Sequence, residues 1–430
     1  MAENVKTSPK NALQRPKGTQ DILPTDISQW HRVENTARRQ LALANYHEIR
    51  TPVFEYTDLF ERGVGDTTDI VNKEMYTFEK GERRLTLRPE NTAGVVRAFN
   101  ENGMSRWPKP VKLFYIGPMF RYERPQAGRQ RQFHQLGVEC FGLDTPASDA
   151  EVIQQAIGLF ETLGLKDLAL EINNIGCLDC RDAFKSQLKA LVKPHLSSLC
   201  EACQERFNTN PLRMLDCKVP TCQAIYNTPE IAVFLNQDST CESCQTHYVA
   251  LKSLLTGLAI PFTENKKLVR GLDYYTRTVF EVTCRHLGAQ NAVCGGGRYN
   301  HLVEELGGPP TPAVGWAVGL ERLTSLLEKT EATGLDCYVV STDALAALKL
   351  AHTVREQTGL KVDLDLSGKG FGKQLAHADK LGAQYALILG ESELADGTVT
   401  IKNLKVGKDL KAGAQETKPL QDLIKSLCSG

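Results

Sequence analysis

Eight cysteines crowd into the stretch from Cys177 to Cys244, and the chain on either side of that stretch reads as β-structure. A segment of this kind does not continue the strands it interrupts. It reads as an insertion with its own means of holding together. The total of 13 cysteines is odd, and Met1–Lys10 is polar, without the apolar core of an export signal. A disulfide scaffold is therefore a poor reading. Metal ligands or buried thiols in a reducing compartment fit better, and a cytoplasmic location is expected. Cys177-x2-Cys180, Cys200-x2-Cys203 and Cys241-x2-Cys244 have the spacing of structural zinc ligands; Cys217-x4-Cys222 is a looser pair. One or two four-cysteine sites fit, and which pairs combine is open. An unbroken helix over 181–199 would be roughly 28 Å long and hold its flanking pairs apart, unless Pro194 turns the chain. The alternative is an insertion that folds without metal around reduced thiols.

The insertion, about 177–262, sits inside an N-terminal block of 1–330. Residues 1–15 read as a loose leader. Trp30, Val33, Ala37, Leu41 and Ala44 recur at helical spacing over 29–45, with Asp26 or Ser28 placed to cap. Residues 48–60 read as a strand running into a short helix. Residues 73–88 form two alternating runs around Lys80-Gly81-Glu82, a hairpin. Asn91 or Thr92 is placed to cap the next helix. Strands are expected at 111–121, 131–141 and 168–175, with a helix at 149–163. These hairpins predict an α+β fold: a mostly antiparallel sheet with helices packed on it. After Glu328 the texture changes. Short apolar strands alternate with helical segments at 342–358, 369–382 and 417–427, giving a small α/β domain over 335–430. No stretch approaches 18 unbroken apolar residues, so a membrane-spanning helix is excluded. Lys+Arg and Asp+Glu are both 51, which disfavours a grip on nucleic acid by bulk charge but not by a local patch.

Charge chemistry concentrates in a few places. Arg121 and Glu123 end an apolar strand, and an arginine there suits a bidentate grip on phosphate. Gln135, Gly137 and Glu139 share a face of the return strand, with the glycine leaving room for a ligand on the sheet. The alternative is a solvated hairpin whose arginines pair only with its glutamates. Arg83, Arg84 and Arg88 lie close in sequence to Glu90 and Thr92. Glu90 can accept from an ammonium group, or it can simply favour a helix N-terminus. Arg270, Asp273, Tyr274 and Tyr275 crowd a turn before a strand and suit a planar polar ligand. The CGGGRY run at 294–299 lacks both common phosphate-loop spacings; its glycines allow close approach of a flat ligand. Arg322, in GLERL, begins a helix where it can reach a phosphate.

Together these segments resemble the histidyl-tRNA synthetase family of class II aminoacyl-tRNA synthetases, over essentially the whole chain after residue 16. EIRTPVFE with Pro52 resembles motif 1 and its dimer interface, FRYERP motif 2, and GLERL motif 3. RGLDYY and HQLGVE resemble the histidine-specific signatures. RPENT resembles a run that usually reads RPEGT, with Asn91 in place of glycine. The resemblance implies an antiparallel catalytic core with a helical insertion and a C-terminal anticodon-binding domain, in a homodimer. It implies histidine contacts from Glu90, Thr92, Arg121, Gln135, Glu139, Arg270, Tyr274 and Tyr275. ATP contacts fall to Arg121, Glu123 and Arg322, and Mg²⁺ accompanies the nucleotide. Arg121, Arg270 and Arg322 carry the catalytic roles. Arg124 and Gln126 match positions that meet the tRNA acceptor end. L-Histidine, ATP and tRNA(His) are the implied partners. A metal in the insertion is not a family requirement. Two other readings are a catalytically silent regulatory paralogue and a non-enzymatic RNA-binding protein.

Overall fold

The computed structural model describes residues 13–66, 68–123, 129–285, 292–328, 334–405 and 415–428. The chain divides into two units, Met1–Thr330 and Glu331–Gly430.

The first unit opens with α1 (Ile27–Leu43), which buries Trp30, Val33, Ala37 and Leu41 along one face, as the periodicity requires. Asp26 occupies its N-cap position, but its side chain makes no capping bond. Then follow β1 (His47–Glu48), β2 (Phe54–Tyr56) and α2 (Thr57–Val64). The hairpin around Gly81 is β3 (Tyr76–Lys80) and β4 (Arg83–Leu87); with β2 it makes a three-stranded antiparallel sheet. Next come α3 (Thr92–Glu101), the long pair β5 (Val111–Phe120) and β6 (Gln132–Phe141), α4 (Pro146–Thr162) and β7 (Leu168–Asn174).

The insertion holds α5 (Leu178–Val192), α6 (Glu201–Thr209), α7 (Pro220–Tyr226), α8 (Pro229–Asn236) and α9 (Glu242–Gly257). Its own core gathers Leu188, Val192, Cys203, Met214, Tyr226 and Ile231. The helix after Cys180 ends at Val192, and Pro194 sits in a 3-10 turn, so no rod separates the cysteine pairs.

The core resumes with β8 (Phe262–Glu264), β9 (Thr276–Cys284), β10 (Ala292–Arg298), α10 (Leu302–Glu305), β11 (Ala313–Gly319) and α11 (Leu320–Leu326). Among the described residues these strands join one eight-stranded sheet in the order β1-β5-β6-β11-β10-β9-β7-β8. The interior pairs are antiparallel; the edge strands β1 and β8 pair parallel. Alternation along β5 and β6 divides the core. Phe114, Leu136, Val138 and Trp316 pack against α1, α4, α9 and α11 on one face. Leu113, Tyr115, Val279 and Tyr299 face the other side, with Val95, Val96 and Phe99 of α3.

A buried network ties these layers. Asp149 on α4 accepts from Arg298 on β10, from Thr278 on β9 (2.7 Å) and contacts His247 on α9 at 2.8 Å. Arg298 and Asp149 are both fully buried, and the surrounding cations hold the Asp149 carboxyl below its usual range despite that burial.

The second unit contains β12 (Cys337–Ser341), α12 (Ala344–Thr358), β13 (Val362–Leu364), α13 (Phe371–Lys380), β14 (Tyr385–Leu389), α14 (Glu391–Asp396), β15 (Thr398–Asn403), β16 (Gln415–Pro419) and α15 (Leu420–Cys428). The helix expected from 417 starts three residues later. Residues 415–419 pair antiparallel with β15 instead, and Pro419 ends that strand before the amphipathic run. The sheet order is β13-β12-β14-β15-β16, parallel on one side and antiparallel on the other.

Candidate active site

On the face of the large sheet that carries Tyr115, the middle strands bear almost no side chain. One transverse row runs Tyr115–Gly137–Ala317–Gly295–Glu281, and the next Leu113–Glu139–Gly315–Gly297–Val279. This floor of small residues is a depression, and above it lies a cavity of about 310 Å³.

The depression is partly filled by the site's own side chains. A Cβ at Gly295 would collide with the Arg270 guanidinium, one at Gly137 with the Tyr115 phenol, and one at Gly315 with the Glu139 carboxyl. Gly137 is thus covered by Tyr115 and does not open onto the cavity, whereas Cys294 and Gly295 of the CGGG run, as expected, line it. The glycines seat Tyr115, Arg270 and Tyr275, and those groups line the cavity.

Glu139 is a strongly perturbed acid. It accepts from Thr92 Oγ1 at 2.8 Å and from the Tyr299 hydroxyl. Burial pushes its carboxyl up to about 8, against the pull of those two bonds and with help from nearby Glu90. Glu90 has another local task. Its two oxygens accept from the backbone N–H of Thr92 (2.7 Å) and Ala93 (2.9 Å). So the α3 cap comes from Glu90, not from the expected Asn91 or Thr92 side chains. Asn91 instead accepts from Thr51 Oγ1 at 2.6 Å and from Arg88. Its φ is −121°, a conformation any residue adopts, so this position does not need glycine.

Arg83 and Arg84 are exposed on β4, Arg84 pairing with Glu61, while Arg88 is buried in backbone bonds to Pro118 and Thr51. None of the three lines the cavity. Four other arginines do: Arg121, Arg129, Arg270 and Arg322. Arg121 donates through Nε to the Pro89 carbonyl at 2.8 Å and lies over the Phe133 ring. Glu123 stands 3.9 Å from Arg121 and 3.1 Å from Arg129. Arg270 donates to Glu281 at 2.6 Å; burial opposes its charge most strongly, but Glu281 together with Tyr275, Cys294 and Tyr274 outweighs that and keeps it protonated. Arg322 donates to the Ala292 carbonyl at 2.7 Å, and burial together with Arg129 disfavours its charge. An anion between Arg129 and Arg322 relieves that strain. Tyr274 and Tyr275 are buried with ring centroids 4.6 Å apart. Gln135 lines the cavity, and its buried Oε1 has no hydrogen-bond partner among the described residues.

The structure therefore brings Glu90, Thr92, Arg121, Glu123, Gln135, Glu139, Arg270, Tyr274, Tyr275 and Arg322 to one cavity. Arg124 and Gln126 lie outside the described residues. Sequence reasoning missed Tyr115 and Tyr299, which also line it, and Glu281, which holds Arg270. Tyr299 closes the glycine run, and period-two alternation on β5 was the available signal for Tyr115. Only strand register puts these beside Glu139 and Gly137.

The cysteines pair as two sets, Cys177 and Cys180 with Cys241 and Cys244, and Cys200 and Cys203 with Cys217 and Cys222. The looser Cys217-x4-Cys222 pair completes a set as well as a CxxC does, because Cys222 rides the first turn of α7. All 13 cysteines are free thiols.

An antiparallel sheet whose cleared floor faces several guanidinium groups defines the catalytic domain of a class II aminoacyl-tRNA synthetase. Residues 18–323 match the family model for histidyl-tRNA synthetase, and residues 337–428 that for an anticodon binding domain. The chain is 48% identical over 420 residues to the histidine--tRNA ligase of Desulfitobacterium hafniense, covering 96% of each. It is 50% identical over 403 residues to that of Pelotomaculum thermopropionicum, covering 92% of this chain and 94% of the other. The crystal structure of apo S. aureus histidyl-tRNA synthetase matches with a TM-score of 0.78 at 37% identity, over 97% of this chain and all of that one. The chain belongs to the histidyl-tRNA synthetase family. It is an ATP-dependent ligase that forms histidyl-adenylate and charges tRNA with histidine.

Proposed function

We propose that the cavity over the glycine floor is where histidine and ATP react, with roles divided as follows. Glu139, Thr92 and a tyrosine hydroxyl hold the imidazole. Gln135 and Glu90 accept from the ammonium group. Arg121 and Arg270 flank the histidine carboxylate and the α-phosphate. The carboxylate oxygen forms a bond to the α-phosphorus as the bond to pyrophosphate breaks, and no side chain has to remove a proton. Guanidinium groups follow the charge onto the phosphoryl oxygens, worth on the order of a hundredfold or more in rate for each such donor. Arg322 takes the β,γ-phosphates, where Mg²⁺ supplies further charge neutralisation when bound. Glu123 lies near the adenine, and Arg124 and Gln126 meet the acceptor end of tRNA(His).

The observation that carries this reading is that Arg121, Arg270 and Arg322 line the same cavity as buried Glu139. The test is histidine-dependent exchange of pyrophosphate into ATP by native chain and Glu139→Gln. Equal exchange with glutamine or phenylalanine in place of histidine would sink the pocket assignment.

The reading includes a homodimer in the cytoplasm. Phe54, Tyr56 and Phe78 share one face of the three-stranded sheet with Leu85 and Leu87, and all three aromatics are exposed. This exposed, largely apolar sheet face next to Pro52, with Arg83 over the Tyr56 ring, suits a second copy of the chain. Mass photometry at twice 47.6 kDa is the expected result. Among the described residues no helix is long and apolar enough to cross a membrane. Zn²⁺ is the structural cofactor of this reading, held by the insertion's thiolates.

A further inference from the structure

Within each cysteine set all four Sγ atoms lie within 4.8 Å of one another. A single zinc ion with Zn–S bonds of about 2.3 Å in a tetrahedron sets its sulfurs roughly 3.8 Å apart. Cys200 and Cys217 stand at 3.8 Å, and Cys177 and Cys180 at 3.5 Å. A disulfide requires about 2.05 Å. A cluster of several irons would spread its four sulfurs over several metal atoms and hold them further apart than this.

Backbone amides and helix N-termini stand at these sulfurs. Cys177, Cys200 and Cys241 are the N-cap residues of α5, α6 and α9, and each partner in its CxxC falls in the first turn of that helix. Backbone N–H groups donate to sulfur: Cys241 to Cys180 Sγ at 3.1 Å, Cys200 to Cys222 Sγ at 3.3 Å and Val219 to Cys217 Sγ at 3.5 Å. Such donors orient thiolate ligands and spread their charge.

The first set is also joined to the active site. Next after Cys180 comes Arg181, buried, whose Nη1 donates to the backbone carbonyls of Asp273 (3.1 Å) and Tyr275 (2.7 Å). Just before Cys177, Gly176 O accepts from Arg277 N at 2.7 Å, and Ile175 N donates back to Arg277 O at 2.8 Å. The segment that carries Tyr274 and Tyr275 into the cavity is thus clamped from the cysteine side.

We propose that the insertion binds two separate zinc ions, each by four thiolates, and that the Cys177–Cys180–Cys241–Cys244 ion fixes, through Arg181, the backbone that presents Tyr274 and Tyr275. The second part rests on the cavity's being the histidine site. Arg181 is a positioning residue, and the metal is structural.

The experiment uses the full chain. Native protein expressed with zinc carries two zinc ions and no iron per chain by plasma emission. Cys180→Ser and Cys203→Ser each retain one. Arg181→Ala retains two, raises the histidine KM about tenfold and leaves the ATP KM within about twofold, with Arg181→Lys intermediate. Should the serine variants not fold, cobalt exchanged into the intact chain shows the thiolate absorption of two tetrahedral sites. Less than one zinc per chain, iron in its place, or disulfides by thiol titration would overturn the metal assignment. An unchanged histidine KM in Arg181→Ala would overturn the link. Two zincs in a chain inactive in pyrophosphate exchange would count against the active-site reading alone.

Discussion

Thr92 Oγ1 donates to Glu139 Oε1 at 2.8 Å, joining the first residue of α3 to β6 of the large sheet. Both residues line the cavity, and Glu139 is buried with a second donor in Tyr299. A carboxyl raised to about 8 is mostly protonated in the empty cavity at neutral pH. Binding a cationic or N–H-donating ligand against it favours the anion.

Histidine binding should therefore strengthen as pH rises toward 8. Each unit below that costs about 1.4 kcal/mol to ionise Glu139, or tenfold in affinity. The histidine KM of native enzyme is expected to fall between pH 6.5 and 8 and then level off. Glu139→Gln should lose this slope and raise the KM at pH 8 by tenfold or more, measured by pyrophosphate exchange.

The same group sets a stability trend in the free protein. Its folded-state value lies above the ordinary 4.5, so the folded state holds a proton that the unfolded chain releases. Its contribution is fully present below about 4.5 and is lost as pH rises toward 8. Glu139→Gln should flatten this part of the melting temperature against pH, read by calorimetry without substrates. A native slope of opposite sign, retained in the variant, would contradict the assignment.

Gly295→Ala places a methyl group where the Arg270 guanidinium lies. Arg270 must then leave Glu281. The expected outcome is a fall in kcat of about a hundredfold, with a melting temperature nearer native than that of a core cavity variant. Burst-phase adenylate formation measures it.

Asp149→Asn removes the fully buried one of the two anions that pair with buried Arg298, leaving half-exposed Asp144 at 3.3 Å. Breaking this buried pair should cost up to about 3 kcal/mol, with Asp144 retaining part of the compensation. The first unit should unfold at lower urea while the second keeps its own midpoint, followed by tryptophan fluorescence and far-UV dichroism. In the native protein this support is present above the usual aspartate range and is lost as pH falls below it, because the Asp149 carboxyl is held low.

Much of this was legible in the chain. Trp30, Val33, Ala37 and Leu41 announced α1, and alternation around Lys80-Gly81-Glu82 announced a hairpin. Arg121, Glu139 and Tyr274 were picked out from three separate stretches and line one cavity. What failed depended on register and distance. No local pattern pairs Glu281 with Arg270 or sets Tyr115 over Gly137; those follow from which strand lies beside which. The caps misread at α1 and α3 show the same limit, since Glu90 wins over Asn91 only because Arg88 and Thr51 engage the amide. The start of α15 was misplaced because pairing with β15 overrides the helical run at its first residues.

The bare floor beneath the cavity has a bearing on redesign. Whoever wishes to admit a bulkier histidine analogue gains nothing by carving the central strands, which already carry only hydrogen or methyl at Gly137, Gly295, Gly315 and Ala317. Volume can be won only from the walls. Tyr115 is the first candidate, because shortening it opens space above Gly137 without unseating Arg270.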